Sequence, residues 1–148
     1  MTMKQTINQN KVDANAWTFF HEGKSILVKA HPKYDGYWCG VDGNIYSVKR
    51  RYLKILKQSL NKNGYLTVGL AENGKTHTCW VHILIADAWL EPSGLDKDGS
   101  LRNQINHLDG RKTNNKLCNL ERNSAKENTH HFRQVLMKIS EETLAIDT

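Results

Sequence analysis

Between Gln104 and Phe132 the sequence QINHLDGRKTNNKLCNLERNSAKENTHHF sets His107, Asn119, Asn128 and His131 at intervals that a strand, a turn and a helix could fold onto one point. Two imidazoles among amides and turn residues suit proton transfer near neutral pH, because an unperturbed histidine titrates at ~6.5. Asn128 and His131 are three residues apart and share a face of any helix that carries them, with Glu127 and His130 on the adjacent face. Asn106 and His107 are consecutive, so a regular strand points them to opposite sides. For both to serve one site the chain must bend there, and the following Leu-Asp-Gly turn offers the bend.

The elements that must position these side chains are short. A strand is expected around residues 104–107, then a stretch rich in turn residues at Asp109-Gly110 and Asn114-Asn115. A second strand falls at about 119–122. Ser124, with Glu127 three residues on, forms the pattern of a capping box that opens a helix from Ala125 to about Ile139. Upstream, apolar runs alternate with turn signals: WTFF, HEGK, SILVK; YWCGV, DGN, IYSV; YLTVGL, AENGK, THTCWV. Asp42-Gly43 and Asn73-Gly74 are dipeptides suited to two-residue type I′ hairpins, so residues 17–81 are expected as an antiparallel meander. HILIADAWL suits a short buried helix stopped by Pro92 and Gly94, with His82 at its start as a hydrogen-bonded structural histidine. EPSGLDKDGS is expected as a flexible connection.

The resulting fold class is α+β: a small N-terminal antiparallel sheet with a short helix, then a C-terminal strand–turn–strand–helix unit. The expected division is a flexible arm over residues 1–16, the sheet part over 17–101, and the unit over 102–148. No apolar run approaches the ~20 residues of a membrane helix, and the polar start lacks the apolar region of a secretory signal. The chain is therefore expected in the cytoplasm, away from membranes. Cys39, Cys79 and Cys118 form no CxxC pair and are expected as buried thiols. Nothing marks a dimer interface, and a monomer is the working expectation.

The formal charge of +6 is concentrated in two blocks. Lys49, Arg50, Arg51, Lys54, Lys57 and Lys62 lie in a run without an acid, and residues 102–133 hold seven basic and three acidic side chains. Two basic blocks flanking a candidate site point to a polyanion such as nucleic acid. In YLKIL, apolar residues between Lys54 and Lys57 would let a strand bury one side and turn ammonium groups toward phosphates.

The string INHLDGRKTNNKLCNLERNSAKENTHH resembles the HNH motif of the ββα-metal endonucleases, and is most similar to the group found in phage homing endonucleases. It carries that group's pattern of Asn/Asp-His, Asp-Gly, Asn-Asn, Asn-Leu, Glu-Asn and a trailing His. The likeness is strong over about residues 103–133 and weaker upstream, in YWCGVDGNIYSV, GYLTVGL and WVHILIADAWL. It implies a metal-dependent DNA endonuclease acting on double-stranded DNA and leaving 5′-phosphate ends. His107 would be the general base that deprotonates water, Asn119 the brace between the two strands, and Asn106 and Asn128 the ligands of one divalent ion, Mg²⁺ or Mn²⁺.

His131 would be a phosphate or secondary metal contact. Position 106 departs from family members that carry Asp, an amide being the weaker ligand, and Asp109 is a possible substitute ligand or the cap of its own turn. Lys49, Arg50, Arg51, Lys54, Lys57, Arg111, Lys112, Lys116, Lys126 and Arg133 are candidate DNA contacts. The alternative readings are a noncatalytic DNA-binding protein that keeps the fold, and an RNA-directed protein that uses the same charge.

Overall fold

A computed structural model of the chain describes residues 15–92, 94–131, 134 and 137. The first sheet is a five-stranded antiparallel meander in sequence order: β1 (Ala16–His21), β2 (Lys24–Ala30), β3 (Tyr37–Gly40), β4 (Ile45–Ser47) and β5 (Lys54–Ile55). β5 adds only two ladder pairs, Tyr46 with Ile55 and Ser47 with Lys54. The chain then leaves the sheet and builds a second one from β6 (Ser59–Leu60), β7 (Leu66–Glu72) and β8 (Lys75–Trp80). The single meander expected over 17–81 is therefore two sheets. β1 also starts at Ala16, within the stretch expected to be an arm, and Ala16 is buried opposite Lys29. The rest of that arm, residues 1–14, lies outside the described residues.

Hairpin chemistry explains the tight connections. Asn73 and Gly74 both have positive φ (51° and 75°), the two-residue turn that Asn-Gly favours. Glu22-Gly23 does the same at the tip of β1–β2, with φ of 50° and 76°. Asp42-Gly43 behaves differently: only Gly43 has positive φ, 85°. Asp42 instead closes a longer loop with its carboxylate, accepting from the backbone N–H and the amide of Asn44 and from the Tyr46 hydroxyl.

Helix α1 (Val81–Trp89) follows β8 directly and buries Val81, His82, Leu84, Ile85 and Ala86. Its apolar face joins Tyr37, Cys39 and Ile45 of the first sheet, Val68 and Leu70 of the second, and Leu120 from the C-terminal unit into one core. A smaller core of Phe19, Val28, Tyr46 and Leu53 lies within the first sheet. The C-terminal unit pairs β9 (Gln104–His107) with β10 (Leu120–Asn123) and continues into helix α2, described over residues 125–131. Arg122 fixes this unit to α1 by donating to the carbonyl oxygens of Ala86 and Leu90 at 3.0–3.2 Å. A cation on the last carbonyls of a helix also meets the negative end of its dipole.

Two further expectations change. The connection before β9 is ordered around the buried Asp96, whose carboxylate accepts from the backbone N–H groups of Asp98 and Ser100 and from the Ser124 hydroxyl. Of the three thiols only Cys39 is buried, while Cys79 is half-buried and Cys118 exposed. Among the described residues no helix is long and apolar enough to cross a membrane.

Candidate active site

His107 is the last residue of β9 and pairs with Leu120 in the ladder. Its buried ring bonds through Nε2 to Asn115 Oδ1 at 2.8 Å. An amide oxygen only accepts, so with Asn115 Oδ1 turned to the ring Nε2 is the donor and the Nδ1 lone pair is the basic one; Asn115 Nδ2, at the other end of that amide, is buried without a hydrogen-bond partner. The ring packs 5.2 Å from His82 and 6.3 Å from Tyr65. Tyr65 in turn stacks on His82 at 4.9 Å and on the half-exposed Trp80 at 5.0 Å, and Lys112 Nζ stands 4.9 Å from the Tyr65 ring. Burial lowers the pKa of His107 against the opposing effect of its Asn115 contact, and burial with the nearby His107 takes His82 down to about 4. Both rings are neutral at pH 7. His82 is buried as expected, but its Nδ1 has no hydrogen-bond partner, so stacking rather than hydrogen bonding holds it.

The loop between β9 and β10 is built to hold this arrangement. Asn119 is buried; its Oδ1 accepts from Asp109 N–H at 3.0 Å, and its Nδ2 donates to Asp109 Oδ1 and to Asn114 O, both at 2.9 Å. Asp109 also accepts from Arg111 N–H and from the Asn114 amide. Every one of these bonds lies inside the turn, so Asp109 caps its own turn and is not aimed at a ligand site. The β3–β4 loop supports the same segment from below: Leu117 N–H donates to Val41 O, and Gly43 lies against the Asn115 backbone, where a Cβ would stand 2.9 Å from the Asn115 carbonyl.

The bend expected between Asn106 and His107 does not occur. β9 is regular through His107, and the turn begins at Leu108, so the two side chains leave opposite faces. Asn106 faces a separate polar cluster. It pairs with Glu121 across the ladder and donates from Nδ2 to Glu121 Oε1 at 3.0 Å. Asn123 Nδ2 donates to the same oxygen at 2.9 Å and approaches Asn128 Oδ1 at 3.5 Å, while Asn128 Nδ2 donates to Gln104 Oε1. The cluster thus lies between the β9–β10 ribbon and α2. A cleft of about 550 Å³ opens beside it, lined in part by Glu121, Asn123, His130 and His131.

α2 is anchored at its start by the expected capping box: Ser124 Oγ accepts from Glu127 N–H, and Glu127 Oε1 accepts from Ser124 N–H. Glu127 also pairs with Arg102. His131, expected at a phosphate or metal, donates from Nε2 to Leu108 O at 2.6 Å, ties the helix to the turn after His107 and also lines the cleft. The helix expected to reach Ile139 is largely outside the described residues beyond 131.

All donor groups of the Asn106 cluster are oxygens or amides, and one is a carboxylate, which suits a hard ion such as Mg²⁺ or Mn²⁺. Among the described residues no group of three or more His, Cys, Asp or Glu side chains is arranged to hold a metal. Reading the sequence overlooked Glu121, Asn123 and Gln104 in this cluster and Asn115 beside His107. Pairing residues 104–107 against 120–123 in register would have put Glu121 beside Asn106. Asn115 had no signal beyond its membership of a turn-forming Asn-Asn.

Of the candidate DNA contacts, Arg50, Arg51, Lys54, Lys57, Arg111 and Lys116 are exposed. Lys49 donates to Ala71 O and lies over the Tyr37 ring, Lys112 donates to Asn63 O, and Lys126 pairs with Asp98 at 2.8 Å. Arg133 lies outside the described residues.

No protein-family model matches the chain. It is 31% identical over 99 residues to an uncharacterized HNH endonuclease of Acanthamoeba polyphaga mimivirus, a match covering 66% of this chain and 27% of that protein. It is 36% identical over 88 residues to the DNA endonuclease I-HmuI of Bacillus phage SP01, covering 59% of this chain and 46% of that one. A solved structure of DNA binding and cleavage by the HNH homing endonuclease I-HmuI aligns with 80% of this chain and 65% of its own, with a TM-score of 0.58 and 30% identity. The chain therefore spans less than half the length of these two curated relatives.

Proposed function

We take as premise the likeness in sequence and fold between this chain and the HNH endonucleases of the phage homing group, and infer from it that the chain is a DNA endonuclease. We propose that it hydrolyses phosphodiester bonds of double-stranded DNA in a metal-dependent reaction, as a homing-type enzyme of a phage or other mobile element. The observation that carries this reading is the state of His107: a buried, neutral imidazole whose Nε2 is engaged by Asn115, leaving Nδ1 as the base. In the proposed reaction Nδ1 takes a proton from water as that water attacks the scissile phosphate, and Asn115 stabilises the imidazolium that forms. Asn119 keeps the turn that carries Asn115 in place, and His131 holds α2 against it.

Asn106 and Asn128 are the proposed holders of one Mg²⁺ or Mn²⁺; because Asn106 and His107 leave opposite faces of β9, the scissile phosphate must reach both around the end of that strand. When bound, such an ion would neutralise phosphate charge and stabilise the leaving 3′ oxygen. A reactive base with a lowered pKa sets the pH dependence. Cleavage should rise through a pKa below that of free imidazole and level off by neutral pH, because further deprotonation no longer increases the basic form.

The test is to incubate supercoiled plasmid carrying native host or phage sequence with the protein and Mg²⁺ or Mn²⁺, alongside chelator and His107→Ala controls. Nicked or linear product that needs metal and His107 is the expected result. Product no greater than with His107→Ala under either metal defeats the enzyme reading. The amide at position 106 favours a second reading, a noncatalytic DNA-binding protein; salt-sensitive retention of DNA without cleavage would support it. Preferential retention or cleavage of RNA would support an RNA-directed protein.

A further inference from the structure

The cluster around Asn106 contains a carboxylate that the HNH pattern does not lead one to expect there. Glu121 stands directly across the β9–β10 ladder from Asn106. Paired residues of an antiparallel ribbon have their Cβ atoms about 5 Å apart on the same face, so the Glu121 carboxylate reaches the space over Asn106. It is half-buried, and among the described residues its hydrogen bonds come from the amides of Asn106 and Asn123, while Lys97 and Lys126 line the adjoining cleft. A partly desolvated carboxylate whose hydrogen-bond donors are neutral amides keeps its full charge and retains an attraction for a cation. The two amide donors already converge on Oε1, and rotating an amide about its last side-chain bond replaces its NH₂ by its carbonyl oxygen. The cluster can therefore switch from donating to Glu121 to sharing a cation with it. Glu121 and Asn123 also line the cleft beside α2, which gives such an ion a path from solvent.

We propose that Glu121 supplies the carboxylate of the divalent-cation site, reaching across the ladder to the space that an acid at position 106 would otherwise occupy. This rests on the metal-dependent reading above and deepens it: the acid missing from one strand is provided by its partner strand. Asn106, Asn123 and Asn128 then contribute amide oxygens or hold the carboxylate in place.

The experiment is calorimetric titration of Mn²⁺ into the full chain without DNA, for the unaltered protein, Glu121→Gln, Asn106→Asp and the double variant, with thermal unfolding in chelator and in Mn²⁺. The unaltered protein should bind Mn²⁺. Glu121→Gln should bind about tenfold more weakly or worse, a loss that even an outer-shell partner of a metal ligand can cause. Adding Asn106→Asp to Glu121→Gln should restore binding. If Glu121→Gln binds Mn²⁺ as tightly as the unaltered protein, the role of Glu121 is overturned while the metal-dependent reading stands.

Absence of Mn²⁺ binding by the unaltered protein overturns both. Should Glu121→Gln fail to fold, Asn106→Asp alone decides. Two facing carboxylates should lower Tm in chelator and enlarge the rise in Tm produced by Mn²⁺. An unchanged Tm in chelator with an unchanged Mn²⁺ response would overturn the role of Glu121.

Discussion

His82 and His107 are buried with their rings packed 5.2 Å apart, and the consequence is acid sensitivity. Folding holds His82 near a pKa of about 4, below the ~6.5 of an unfolded chain. Between these values the unfolded chain binds the proton and the folded one does not, so stability falls as pH drops from 6.5 toward 4 and is unaffected by His82 above that window. His82→Phe keeps a ring on Tyr65, forfeits no Nδ1 hydrogen bond and removes this titration. The variant should lose about 2 kcal/mol less than the unaltered protein between pH 7 and pH 4.5, measured by urea unfolding at each pH. Equal losses would show that the ring is not held neutral. At this scale the proposed roles of His107, Asn119 and Asn128 were legible through the family resemblance that their spacing carries, imidazole and amide chemistry being written in the side chain. Asn115 and Glu121 escaped because their importance lies in what they face.

The elements that carry these side chains were legible where local chemistry dictates them. Ser124 and Glu127 announce the start of α2, and Asn73-Gly74 announces its turn, since both depend only on neighbours in sequence. Asp42-Gly43 misled because its loop is closed by Asp42 side-chain bonds, and because Gly43 answers to a distant segment. That dependence gives a prediction. Gly43→Ala meets both a positive φ, which costs an L-residue about 1–2 kcal/mol, and the Asn115 backbone at 2.9 Å. Gly74→Ala meets a positive φ of 75° but open space. Both variants should lower Tm, and only Gly43→Ala should also depress plasmid cleavage, through displacement of Asn115 from His107. Equal cleavage by the two would sever the proposed link between the β3–β4 loop and the site.

Across the whole molecule the positive charge is unevenly available. Lys54 and Lys57 are exposed beside the short β5, whereas Lys126 is paired with Asp98. If the former contact phosphates, Lys54→Ala/Lys57→Ala should reduce the slope of log affinity for DNA against log salt by about 0.9 per contact. Lys126→Ala should change it less, and Tm should stay within a degree or two in both. Salt-titrated DNA binding measures the slopes, and an unchanged slope for the lysine pair would remove that edge from the DNA interface.

The same division of scales separates what was readable from what was not. Sequence by itself determined the strand–turn–strand–helix unit, its capping box and the buried helix over HILIADAWL, because periodicity and caps act over a few residues. Tertiary structure alone decided that 17–81 forms two sheets, that Asp96 orders the connection to β9, and that His131 holds a turn. It also decided that Asn106 and His107 face opposite ways, with Glu121 on one side and Asn115 on the other. Those outcomes depend on strand register and on contacts between segments tens of residues apart, where a single residue's shift exchanges the two faces.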